Sequence, residues 1–214
     1  MSLSRRYARG HQWLASYTWS KAEDTSTDFS TMFIVQNDGQ GRDPRNPKGL
    51  PIGFDPREER GPSVQDQRHH LVLSGVYTAP RGFLFSSIVT VASGRPYNVL
   101  AGVDLNGDGD GGQPASDRAR LNPADPGSSL GRNAGTMPYQ MTADVRVTKR
   151  VGLRAHAHLD AIVEVFNLFN RTNFLDINNT FGSGAYPTQP LPTFGQFTQA
   201  GPPRQIQLGA KLSF

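Results

Sequence analysis

The sequence predicts an all-β protein, an antiparallel up-and-down run of strands that crosses a membrane. Three observations lead there. The last eleven residues, Arg204 to Phe214, read RQIQLGAKLSF. Ile206, Leu208, Ala210, Leu212 and Phe214 alternate with Gln205, Gln207, Gly209, Lys211 and Ser213, the period-2 pattern of a strand with two unlike faces. Soluble domains tend to finish in a frayed polar tail, whereas this one finishes on an aromatic ring. A tilted strand of roughly 9–11 residues is long enough to cross a bilayer. The second observation is the connections, which alternate long, short, long, short, long. The third is composition. Hydrophobic residues make up 36% of the 214, with 23 Gly and 16 Pro, and mean hydropathy is −0.49. No stretch approaches the roughly 20 apolar residues a membrane helix needs; the longest mostly apolar run, Phe83 to Ala92, is broken by Ser86, Ser87 and Thr90. A barrel passes this test, because only alternate residues meet lipid and its loops are polar.

The elements follow in order. Residues 1–10 read as the end of a strand and a short turn at Arg9-Gly10. His11 to Ser20 sets Trp13, Ala15, Tyr17 and Trp19 on one face and Gln12, Ser16, Thr18 and Ser20 on the other, with Leu14 as the exception. Lys21 to Gln67 is a long polar loop whose apolar patch, Met32 to Val35, is a short strand or an anchor. Arg68 to Ala79 is a strand, apolar on both faces at its middle, so its register stays open. Pro80-Arg81-Gly82 is a tight turn into the strand Phe83 to Ser93, and Gly94 to Gln140 is a second long loop. Met141 to Arg150 opposes Met141, Ala143, Val145 and Val147 to Thr142, Asp144, Arg146 and Thr148. After a turn near Gly152, Arg154 to Phe169 opposes Ala155, Ala157, Leu159, Ala161, Val163 and Val165 to His156, His158, Asp160 and Glu164. Asn170 to Pro203 is the third long loop.

Loops beyond about 12–15 residues are uncommon in compact soluble domains. Outer-membrane barrels pair long extracellular loops with short periplasmic turns. With Phe214 on the periplasmic side, every long connection falls outside. Aromatics then gather at two levels: Tyr17, Trp19, Phe166 and Phe169 at the outer ends, and Trp13, Tyr77, Phe83, Phe85 and Phe214 at the inner ends, as interfacial girdles require. Six strands and a remnant are fewer than the eight of the smallest barrels, and open edges in lipid leave backbone groups unpaired. The start, MSLSRRYARGHQ, has no apolar leader core. Such a start belongs either to a cytoplasmic chain or to the C-terminal piece of a longer protein, and the open edges favour the C-terminal fragment of a longer barrel protein.

Zero cysteines exclude a disulfide scaffold and thiolate metal sites. The net charge is +4, but Lys and Arg are scattered among Asp and Glu, so no basic stripe for nucleic acid is predicted.

Six stretches, YTWSKAED at 17–24, DQRHHLVLSGVY at 66–77, SGRPYNV at 93–99, DLNGDGDGG at 104–112, EVFNLFNRTNF at 164–174 and GPPRQIQLGAKLSF at 201–214, resemble the C-terminal end of TonB-dependent outer-membrane receptors. The nearest group carries a carboxypeptidase-regulatory-like domain before the plug. The resemblance implies a 22-stranded barrel filled by a plug, of which residues 1–214 are the last barrel segment, without the plug and the N-terminal strands. It implies nutrient import driven by an energy-coupling protein that grips the absent N-terminal part, assembly through strand 204–214, and a place in the cell outer membrane, in contact with its lipid. Transport belongs to the parent protein.

Asp104, Asn106, Asp108 and Asp110, with Gly107, Gly109 and Gly111, form the Asp-x-Asn-x-Asp-Gly opening of a calcium loop. The closing Glu is absent: the twelfth position is Ala115, and Asp117 would have to serve. The loop 104–117 is thus a weak candidate Ca2+ site, against a flexible Gly/Asp loop tip. His156, His158 and Asp160 share a face that can bind a metal but reads more simply as a wet lumen wall. Asp66, Arg68, His69 and His70 read as hydrogen bonding at the rim. Arg118, Arg120 and Arg132 read as solvated loop residues, with contact to an anionic ligand as the alternative. No catalytic residue is predicted. The competing reading is a soluble all-β binding or structural module, a sandwich with long loops, in which Ile206, Leu208, Leu212 and Phe214 would enter a packed core.

Overall fold

The computed structural model describes residues 1–25, 60–105, 117–153 and 157–214. The patch 32–35 lies outside the described residues. In chain order the strands are β1 (Ser2–Ala8), β2 (His11–Trp19), β3 (Glu23–Asp24), β4 (Gly61–Pro62), β5 (His69–Ala79), β6 (Phe83–Ala92), β7 (Pro96–Tyr97), β8 (Gly135–Thr136), β9 (Gln140–Gly152), β10 (His158–Phe166), β11 (Phe174–Ile177), β12 (Phe197–Ala200) and β13 (Gln205–Ser213). Seven of them form one sheet in the order β1-β2-β5-β6-β9-β10-β13, and every pairing in it is antiparallel. Each strand therefore lies beside its neighbour in sequence, the up-and-down order expected. The sheet is open, with β1 and β13 as its edges.

Two of the turns have the geometry that tight hairpins need. Arg9 and Gly10 take φ of 51° and 82°, and Arg81 and Gly82 take 62° and 78°. Two successive positive φ angles match the right-handed twist of the flanking strands. Glycine is also required by space at Gly82, where a Cβ would stand 2.6 Å from the Arg150 carbonyl oxygen.

Register sorts the side chains into two faces, because directly paired residues point the same way. Ladders such as Tyr17–Leu71–Val91–Met141 and Phe85–Val147–Val163–Leu208 run across the sheet. So do Ser86–Arg146–Glu164–Gln207 and Arg150–Asp160–Lys211 on the other face. The open register of Arg68 to Ala79 is settled by its partners: Leu71, Leu73 and Tyr77 pair with Val91, Val89 and Phe85 on the apolar face.

Among the described residues, neither face is covered by a second layer. Among the described residues the buried hydrophobic set is Ala92, Val99, Leu100, Ala101, Ala119, Ala143 and Phe181, most of it in the loops. Ile206 is 66% exposed, Leu208 75% and Phe214 96%. A sandwich would pack these side chains inside, so the apolar face is not one half of a soluble core.

The long loops depart from the polar, solvated form expected. The described parts of the second long loop (94–105 and 117–140) and the third (170–203) fold together into a cap over one end of the sheet. Val99, Ala119 and Phe181 form its core, with Tyr97, Leu130, Tyr186 and Phe194 packed around them. The Phe181 ring lies 5.0 Å from that of Tyr186 and 5.2 Å, edge-on, from that of Phe194. The backbone joins the two loops: Phe181 N–H donates to the Leu100 carbonyl at 2.7 Å, and Tyr186 N–H to that of Arg120 at 2.9 Å. The third loop also contains a hairpin, β11 with β12, whose Phe174 and Phe197 rings stack with centroids 3.7 Å apart.

Candidate functional site

The cap rests on polar side chains that replace missing backbone partners. β10 stops at Phe166, short of the expected Phe169, because Asn167 takes φ 50°. Asn is among the few residues that adopt this conformation readily. Asn167 donates its N–H to Asp144 Oδ1 at 2.8 Å, accepts the Arg171 N–H at 3.0 Å, and donates Nδ2 to the Arg171 carbonyl at 2.9 Å. Asn173 imitates a strand neighbour, its amide accepting from Met141 N–H at 2.8 Å and donating to Met141 O at 2.9 Å.

The stem of the first long loop clips onto this cap. Arg132, buried to 3%, forms an ion pair with Asp24 at 2.9 Å. Asn133, buried to 2% with φ 50°, accepts nothing at its Oδ1 but donates Nδ2 to the Pro62 carbonyl at 2.6 Å. Its N–H donates to Asn98 Oδ1 at 2.7 Å. Asp66 accepts the Ala22 N–H at 2.9 Å and the Arg68 guanidinium at 3.0 Å. Burial by itself would raise the Asp66 pKa; the Ala22 N–H and Arg68 outweigh it and hold the carboxyl below the usual carboxylate range. Glu23, in the same stem, is likewise lowered, mainly by its hydrogen bond to Lys21 and also by Arg60.

These contacts border a crevice of ≈ 480 Å³ where the first and second loops meet, lined among others by Asp66, Arg68, Ser93, Arg132, Asn133 and Thr136. Its guanidinium groups are matched by Asp66 and Asp24, so it presents little net charge, and most of its exposed wall is apolar. Below it, the polar face of the sheet carries a cross-strand charge ladder. Arg150 grips Asp160 in a bidentate pair at 2.8 Å for each bond, and Arg146 faces Glu164 at 3.4 Å. Charges mid-strand at a lipid surface cost about 2–4 kcal/mol each for Arg or Lys, so this face belongs to water.

A family model described as an outer membrane beta barrel domain matches residues 1–207. The chain belongs to the outer-membrane β-barrel domain family. No curated protein and no solved structure matches it. As a member of that family it resides in the outer membrane, with its apolar face toward lipid, its polar face toward the lumen and its long loops outside.

For an outer-membrane barrel the aromatic levels fall mostly as expected. At the inner end Tyr77 stacks on Phe85 at 6.4 Å and Phe83 on Phe85 at 6.1 Å. At the outer end Tyr17 hydrogen-bonds His69 at 2.8 Å. Phe166 is the exception in its face, not in its level: it pairs with Gln205 and lines a pocket with Arg146 and Glu164, so it faces the lumen. Lys149 is the lipid-face cation of β9, and it reaches back to the Arg81 carbonyl with its Nζ 4.4 Å from the Phe83 ring centre. That is how a long cation keeps its charge at the interface.

The calcium candidates Asn106, Asp108 and Asp110 lie outside the described residues. Asp104 stands at the loop's start, and Asp117 is buried, accepting the Leu105 N–H at 2.5 Å. One oxygen of the would-be closing ligand thus already accepts a backbone hydrogen bond. His156 also lies outside the described residues, while Asp160 is committed to Arg150. Asp66 and Arg68 remain together, but His69 and His70 fall on opposite faces, consistent with rim hydrogen bonding. The solvated role expected for the loop arginines fails for Arg120 and Arg132. Both are buried, Arg120 donating to the Leu105 carbonyl at 2.9 Å, because the loops collapse around an apolar core instead of spreading into water. Sequence reasoning missed Asn98, Asn133, Asn167 and Asn173. A Gly-flanked or repeated Asn, as in GRNAG and NLFNRTN, was the available signal.

Proposed function

We propose that this chain is the C-terminal barrel segment of a TonB-dependent receptor, serving in the capture and import of a nutrient by the parent protein. One observation carries the reading most strongly. The first and second long loops close over a crevice above a charge-balanced lumen wall, and the third is hydrogen-bonded to the second beside it. A passive pore has no use for a preformed recognition site above its channel. The six stretches of sequence resemblance support the same reading. The two free sheet edges, β1 and β13, would be met by the remaining strands of a 22-stranded barrel, since unpaired edges in hydrocarbon cost several kcal/mol per group. On this reading the assembly machinery recognises strand 204–214, and the energy-coupling protein acts through the plug-bearing N-terminal part. The role is binding and transport, not catalysis, and any Ca2+ held by loop 104–117 would be structural.

The test is uptake by whole cells of a labelled panel: ferric siderophore, corrinoid and oligosaccharide. Import of one member should vanish when the parent gene is deleted, and equally when the energy-coupling protein is deleted. If deletion of the parent alters only the leak of small solutes, and loss of the coupling protein changes nothing, the receptor reading fails.

A further inference from the structure

We infer that the turn after β10 builds a site for a phosphate-bearing acyl lipid of the outer leaflet. A cavity of ≈ 630 Å³ opens there, lined by Met141, Phe169, Arg171, Thr172 and Phe174. Its position is fixed by register. Met141 pairs with Val91, which pairs with Leu71, so its side chain belongs to the lipid face at the outer end. This open groove therefore continues the apolar belt upward to headgroup level, and Phe169, 65% exposed, forms part of its wall.

A cation sits at the top of this apolar floor. The Arg171 guanidinium lies 3.9 Å from the Tyr139 ring centre and donates to the Tyr139 carbonyl at 3.2 Å. A guanidinium has five N–H donors in a planar fork suited to phosphate, so donors remain for a ligand. Arg204 is tied to the same turn, its N–H donating to Asn170 Oδ1 at 2.9 Å. The asparagine contacts described above hold the turn rigid, so the Phe169 and Arg171 positions are set before a lipid arrives. Apolar floor below and cation above match an acyl chain and its phosphate, in the orientation a lipid has in the outer leaflet. Aromatic and basic residues at this depth are common in membrane proteins; a cavity combining them on a braced turn is a more specific arrangement. The inference rests on outer-membrane placement alone and not on the transport reading.

The test uses the intact protein extracted from outer membranes in mild detergent. Binding is read by native mass spectrometry against bis-phosphorylated lipid A, dephosphorylated lipid A and inorganic phosphate. The parent should prefer the phosphorylated lipid. Arg171→Gln should weaken that lipid about fivefold, since a basic residue near a charged headgroup contributes ~1 kcal/mol, and leave the dephosphorylated lipid unchanged. Phe169→Ser should weaken both lipids. Equal binding of the two lipids by the parent overturns the proposal, as does displacement of lipid by inorganic phosphate or unchanged binding in both variants. Should Arg171→Gln fail to assemble, Phe169→Ser decides alone, because its exposed ring supports no packed core.

Discussion

The sheet and the cap solve the problem of apolar side chains in opposite ways. The sheet turns Leu208, Val163, Val147 and Phe85 outward in one cross-strand ladder and holds itself together by backbone pairing. The cap turns Val99, Ala119 and Phe181 inward and is held by packing. The first works only in a solvent that is itself apolar; the second works in water. The switch occurs within a few residues of Ala92 and Phe166, which places the upper limit of the hydrocarbon there. The same substitution should therefore have opposite consequences in the two regions.

The largest effect is expected in the cap. Phe181→Ala removes the largest fully buried side chain among the described residues and should lower local stability by about 3–5 kcal/mol, as large-to-small core changes do. Amide exchange at Ala119 and Phe181 should speed up while exchange in β9 and β10 stays slow. Equal acceleration in the strands would show that cap and sheet are one cooperative unit.

On the sheet the consequence depends on the face. Val163→Arg puts a charge toward lipid near mid-strand and should destabilise by about 2–4 kcal/mol. Gln207→Arg, one step along the neighbouring strand, faces the lumen opposite Glu164 and should be close to neutral. Refolding into lipid vesicles across a denaturant series measures both. Matching losses would mean the two faces are not divided between lipid and water.

Gly94→Ala attacks the junction between the regions. A Cβ at Gly94 would stand 1.6 Å from the Met137 carbonyl oxygen, closer than any real contact allows. Relief requires backbone movement, and overpacking of this kind costs about 1–3 kcal/mol. Limited proteolysis should cut the cap near Met137 more readily, with the barrel remaining heat-resistant. Unchanged cleavage would mean the loops separate freely at that point.

The strands were legible because each alternates over about ten residues, the length over which one bilayer crossing repeats its pattern. Even β5, ambiguous by itself, needed only its neighbours to fix its faces. Phe166 sits at the outer end as expected, but its level alone did not give its face; its parity with Glu164 sets it toward the lumen. The cap was not legible for a different reason. Val99, Ala119 and Phe181 are far apart in sequence and carry no periodicity, so only folding brings them together. The crevice depends on the same long-range contacts. Asp66 and Arg68 could be paired by eye at their two-residue spacing, but nothing local announces that Arg132 reaches Asp24 or that Asn133 reaches Pro62.

The smallest effect expected is acid loosening of the first loop's stem. The folded-state pKa of Asp66 lies below its ordinary value. A depressed carboxylate contributes stability that is present above the unfolded-state pKa, about 4, and is lost as pH falls through the folded value. Lowering the pH from 6 to 3 should therefore weaken the grip of Asp66 on Ala22 and Arg68 while the cap's apolar core stays closed. Asp66→Asn should show a loosened stem already at pH 6 and little further change on acidification. The measurement is amide exchange at Ala22, corrected for intrinsic pH dependence, with Ala119 as the internal control. If Ala22 and Ala119 lose protection together in the parent, the stem is not a separate clip, and acid acts on the whole extracellular face at once.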